Sequence, residues 1–157
     1  MIIGIDLDNT LIDYRGAFWR TALETKILIE DDRKSVTDNG KPIPSKNEIK
    51  NYLLSCENGD YQWESLQGQV YGKYINHAQI FPGSANFLLH CHRRREKVYI
   101  ISHKTEYGHN DKSKTPLREA ALNFLEQKSL LSGDYGITSE DIFFCGTLKE
   151  KVRKIAE

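Results

Sequence analysis

Two aspartates one residue apart, Asp6 and Asp8, directly follow the apolar run Ile2-Ile3-Gly4-Ile5. Paired acids at the end of a buried strand are costly unless they bind a cation or do chemistry. A calcium loop of the EF-hand type needs glycine at its sixth position and glutamate at its twelfth. Counted from Asp6 those positions are Leu11 and Ala17, so that reading fails. The plainer alternative is a turn in which Asp8 or Asn9 caps the next helix. A second polar group, Ser102-His103-Lys104, follows another apolar run, Val98-Tyr99-Ile100-Ile101. His103 and Lys104 come directly after the end of that run.

The elements that must position these residues are legible from patterning. Ile2–Ile5 is too continuously apolar for a half-exposed strand, so it reads as buried on both faces, the parallel-sheet kind. Residues 98–101 and Ile142-Phe143-Phe144-Cys145 read likewise. Helical signals lie between them. Ser84 can cap a helix with Phe87, Leu88 and Cys91 on its apolar face. Thr115-Pro116 precedes Leu117, Ala120, Ala121 and Phe124, with proline at a first helical position. Thr147-Leu148-Lys149-Glu150 has the form of a capping box. Strands alternating with helices predict an α/β fold with a parallel sheet. Carboxyl ends of such strands are where these folds place ligands.

Residues from about Tyr14 to Ile80 differ in character. Phe18 and Ala22 mark one helix. Ser45-Lys46-Asn47-Glu48 is a second capping box, opening a helix to about Ser55. Trp63, Leu66, Val70 and Tyr74 recur at helical spacing. The charged stretch Glu30–Ser45, with Pro42 and Pro44, reads as a loop. The whole region is expected to be a helical insertion between the first and second strands.

Composition narrows the classes. The 157 residues carry 22 Lys+Arg and 22 Asp+Glu, so the formal net charge is +0. That gives no global basic footprint for nucleic acid and leaves only a local patch. No apolar run approaches the ~20 residues that span a bilayer. Three separated cysteines, Cys56, Cys91 and Cys145, do not make a disulfide framework. With no signal-peptide pattern at the start, a cytoplasmic protein is expected.

Asp6-Leu7-Asp8-Asn9-Thr10-Leu11 resembles the signature motif of the haloacid dehalogenase superfamily, mostly magnesium-dependent phosphohydrolases. Phe81-Pro82-Gly83, a helix and then the strand ending in Ser102 are similar to the family's second motif. Lys149-Glu150-Lys151 is similar to the third, which supplies a lysine. The resemblance implies a Rossmann-like core of residues 1–13 and 81–157 and a helical cap of residues 14–80. It also implies chemistry. Asp6 would attack phosphorus and form an aspartyl-phosphate. Asp8 would protonate the leaving group and then activate water. Ser102 would hydrogen-bond a phosphoryl oxygen. Asn9 and Thr10, inside the motif, would contact substrate, and His103 or Lys104, directly after Ser102, would contact its phosphate or a polar leaving group. Asp6 and Asp8 would hold Mg²⁺. Lys149 and Lys151 compete for the lysine role. If Leu148, Val152 and Ile155 form the buried helix face, Lys151 sits roughly 70° from its centre and Lys149 roughly 90°, which favours Lys151.

One departure from the family stands out. Members continue past this lysine into a further strand with a fourth acidic motif, whereas the sequence ends at Glu157. A fragment, or a chain completed by a second chain as in a dimer, is therefore expected, since the first strand would otherwise be an open apolar edge. The expected activity is hydrolysis of a small soluble phosphomonoester. The alternative is a catalytically impaired member or regulatory module that binds a phosphorylated ligand or partner, and a third reading is phosphotransfer to a second hydroxyl. His90-Cys91-His92 reads as a core cysteine beside surface histidines, because adjacent helical residues point ~100° apart. Arg93-Arg94-Arg95 reads as a solvated helix end.

Overall fold

The structure, a computed structural model, describes residues 1–37 and 43–157. In chain order it contains β1 (Ile2–Ile5), β2 (Ile12–Asp13), α1 (Ala17–Glu24), α2 (Arg33–Val36), α3 (Lys46–Leu54), α4 (Gly59–Tyr71), β3 (Gln79–Ile80), α5 (Ser84–Arg93), β4 (Lys97–His103), α6 (Leu117–Gln127), β5 (Ile142–Cys145) and α7 (Leu148–Ala156). The contacts divide it into two compact units. One comprises residues 1–13, 79–106 and 117–157, the other residues 14–78 and 107–116. Among the described residues no helix is long and apolar enough to cross a membrane.

The first unit is α/β. β1, β4 and β5 form a parallel sheet in the order β1-β4-β5, with Ile5 beside Ile100 and Ile100 beside Ile142. Val98, Ile100 and Ile101 are buried, as are Leu88 and Cys91 of α5 and Leu117, Ala121, Phe124 and Leu125 of α6. Burial pushes the Cys91 thiol pKa up, while His90 and His92 stay exposed. β2 and β3 pair antiparallel, where the chain leaves this unit and returns to it.

Three expectations about this unit are corrected. β1 is not buried on both faces: it pairs with β4 alone among the described residues, and Ile2 is 73% exposed. Leu148, Val152 and Ile155 are exposed, not buried. α7 instead places the half-buried Lys151 and Lys154 inward, with Lys154 Nζ 4.3 Å from the Phe143 ring centre. A lysine can do this because its alkyl stem packs like a hydrocarbon. Phe87 is also largely exposed, so the α5 core face is Leu88 and Cys91.

The second unit is helical. Its core stacks Phe18 on Trp63 (centroids 5.4 Å apart) and sets Tyr71 edge-on to Tyr14 at 4.8 Å. α3 starts with the expected capping box. The Glu48 amide donates to Ser45 Oγ, and the Ser45 amide donates to Glu48 Oε2 at 2.7 Å. α4 stops at Tyr71, so Tyr74 falls outside it and opens a 3₁₀ turn. The Glu30–Ser45 stretch is not simply a loop, since it contains a 3₁₀ turn at Glu30–Asp32 and α2; Pro42 lies outside the described residues. Residues 107–116 pack within this unit through a glycine-on-glycine approach: a Cβ on Gly108 would strike the Gly68 Cα of α4.

Candidate functional site

In a parallel sheet every strand ends at the same edge, and that is what gathers the polar residues of the first unit. β1 runs out into Asp6, β4 ends on Ser102 and His103 and runs out into Lys104, and β5 runs out into Gly146. After Asp8 the chain makes a tight turn. The amides of Thr10, Leu11 and Ile12 all donate to the Leu7 carbonyl, at 3.3, 2.9 and 3.0 Å, and the Asn9 amide donates to the Ile12 carbonyl at 2.9 Å. Asn9 takes φ 59, a left-handed conformation that asparagine tolerates better than most residues. The turn buries Leu7, Leu11 and Ile12 and leaves Asn9 and Thr10 exposed.

Each aspartate meets its own lysine. Lys151 Nζ lies 2.7 Å from Asp6 Oδ1, which also accepts the Leu7 amide at 2.9 Å. Asp6 Oδ2 has no hydrogen bond or ion pair to any described residue, and the side chain is 43% exposed. Lys104 Nζ lies 2.9 Å from Asp8 Oδ2 and 3.2 Å from Oδ1, with the lysine side chain only 3% exposed. Lys151 therefore meets Asp6 and Lys149 stays at the surface, although the face that favoured Lys151 is not the buried one.

Ser102 is buried, and its Oγ has no hydrogen-bond partner among the described residues. A buried hydroxyl without a partner is uncommon and needs a reason. His103 is exposed, and its Nε2 donates to the Gly146 carbonyl at 3.1 Å. The loop into α7 is held by Thr147 and Glu150. Thr147 Oγ1 accepts the Glu150 amide, and the Glu150 carboxylate accepts the Gly146 amide at 2.8 Å. That amide is the main reason the Glu150 pKa falls below the usual carboxylate range. Sequence reasoning missed Arg118, whose Nε donates to the Lys104 carbonyl at 3.1 Å. No local pattern marks it; its partner is fourteen residues away. A cavity of about 390 Å³ along β5 and α7, lined by Phe143, Arg153, Lys154 and others, includes none of Asp6, Asp8, Ser102 or Lys104.

No cluster of three or more His, Cys, Asp or Glu among the described residues stands close enough to hold a metal by itself. Mg²⁺ does not require one, since it commonly keeps several waters beside one or two carboxylates and substrate phosphate. No family model matches this chain, and neither a curated protein nor a solved structure matches it.

Proposed function

We propose that this chain is a phosphomonoester hydrolase of the haloacid dehalogenase kind, acting on a small phosphorylated metabolite through an aspartyl-phosphate. The observation that carries the reading is the pair of carboxylates beyond β1, each matched to a separate lysine from a different element. Asp6 has the requirements of a nucleophile. Lys151 and the Leu7 amide fix Oδ1, which leaves Oδ2 exposed to attack phosphorus. Carboxylates do serve as covalent acceptors in phosphoryl transfer. As the Asp6–phosphorus bond forms, the ester bond breaks and Asp8, which takes up a proton from solvent when substrate binds, gives it to the departing oxygen. Asp8 then takes a proton from water, which attacks the phosphorus, releases inorganic phosphate and regenerates Asp6. The buried Ser102 hydroxyl has its hydrogen-bonding capacity unspent, as a donor to a phosphoryl oxygen would.

The half-exposed Asp6 carboxylate, with the Asp8 backbone carbonyl and water, fits Mg²⁺, which commonly keeps several waters beside one or two carboxylates. When bound, the ion would supply charge neutralisation of the phosphoryl oxygens. The test is phosphate release from a panel of phosphate esters with Mg²⁺. Release abolished by Asp6→Asn is the expected result. Release unaffected by Asp6→Asn, or none from any ester, removes the reading. Transfer of the phosphoryl group to a second hydroxyl would make the chain a phosphotransferase instead.

A further inference from the structure

The two-step reaction uses Asp8 but assigns nothing to Lys104, the most buried cation at the site. Its ammonium reaches both Asp8 oxygens, at 2.9 and 3.2 Å, with 3% of the side chain exposed. Its backbone is held as well. The amide donates to the Cys145 carbonyl at 3.0 Å, and the carbonyl accepts Arg118 Nε at 3.1 Å. A substrate-binding lysine needs an ammonium that can reach solvent, and this one is withdrawn onto a carboxylate. A single ammonium bridging both oxygens resists rotation of the carboxylate, and charge-assisted hydrogen bonds are the strong ones.

We propose that Lys104 is a positioning residue that acts through Asp8, fixing its carboxyl group against the departing oxygen. The proposal rests on the phosphohydrolase reading and extends it to substrate class. Proton delivery matters most where the leaving oxygen is a poor anion. Lys104 is therefore needed chiefly for alkyl phosphates and little for aryl phosphates.

The experiment is a double-mutant cycle with wild type, Lys104→Met, Asp8→Asn and the double variant, assayed on glycerol phosphate and p-nitrophenyl phosphate. Misplacing a catalytic group by about 1 Å can cost ~100-fold. Lys104→Met is thus expected to lower kcat/KM for glycerol phosphate by about 10- to 100-fold, within the ~100- to 10,000-fold range of general acid–base catalysis. The aryl ester should lose less than about 3-fold and KM should barely move, because its leaving group needs little proton transfer. In the Asp8→Asn background Lys104→Met should change nothing further, since a residue acting through another is non-additive with it. Lys104→Arg, which keeps a cation able to bridge both oxygens, should recover most of the alkyl-ester rate.

A large rise in KM at constant kcat would make Lys104 a substrate contact and overturn the proposal. So would equal losses on both esters, or full additivity with Asp8→Asn. If Lys104→Met alone does not fold, Asp8→Asn, which leaves the Lys104 ammonium unpaired, is compared with Asp8→Asn/Lys104→Gln, which removes both charges of the pair. A further loss beyond about 3-fold there refutes action through Asp8. A wild-type chain inactive on both esters removes the phosphohydrolase reading and this inference together, whereas an active wild type with additive losses removes the inference alone.

Discussion

Replacing Ser102 by alanine should stabilise the unliganded sheet unit while weakening its hold on phosphate. Ser102 Oγ is buried at the end of β4 and has no partner among the described residues. Leaving a buried hydroxyl unsatisfied costs about 1–3 kcal/mol. Removing one oxygen forfeits part of that gain in lost van der Waals contact, a few contacts at ~0.1–0.2 kcal/mol each. The net expectation is a gain of about 1 kcal/mol. Amide exchange along β4 measures it, because exchange reports the stability of one cooperative unit separately from its neighbour. Phosphate should reverse the order. A phosphate-saturated wild type at about 100 times Kd gains about 2.7 kcal/mol. A hydrogen bond to a charged group contributes about 1.5–3 kcal/mol, so its loss should weaken binding by about 10- to 100-fold and remove between about half and most of that gain at the same phosphate concentration. The reasoning fails if Ser102→Ala destabilises the unliganded protein by 1 kcal/mol or more, on the scale of a lost ordinary hydrogen bond. It fails equally if phosphate protects both proteins alike. The trade is the kind expected where a binding site is kept strained for its ligand.

Two further outcomes test the packing. Asp141 is buried, which raises its pKa, but its hydrogen bond and charge pairing with Lys97 at 2.6 Å and the Thr138 amide at 3.0 Å outweigh this, so the net shift is downward. A lowered folded-state pKa contributes stability above the unfolded value of about 3.9 and loses it as pH falls through the folded one. Asp141→Asn should therefore cost about 1–3 kcal/mol at neutral pH and nothing at the acid end of a denaturation series; a pH-independent cost would contradict it. Gly108→Ala should destabilise the helical unit by about 1–3 kcal/mol or more, because the obstacle is backbone that cannot rotate away; an unchanged melting temperature would show that Gly68 and Gly108 do not meet.

The local signals in this chain were reliable where they concern neighbours along the backbone. The Ser45–Glu48 box, the β1 and β5 boundaries and the Trp63–Leu66–Val70 stripe all rest on interactions within a few residues. Spacing failed where exposure depends on what another element covers. Leu148, Val152 and Ile155 form an ideal apolar stripe, yet nothing described packs on it. Ile2 is apolar and exposed for the same reason, as a residue of an edge strand.

The candidate site divides along the same line. The sequence alone determined that Asp6 and Asp8 follow the first strand and that Ser102 lies near the end of another, one residue before its last, His103, because apolar runs and the turn that follows them are written in consecutive residues. Only the tertiary structure decided that Lys151 meets Asp6 and that Lys104 leaves the surface for Asp8 across ninety-six positions. The order of three parallel strands brings those charges together, and sequence distance does not enter a Coulomb interaction between side chains 3 Å apart.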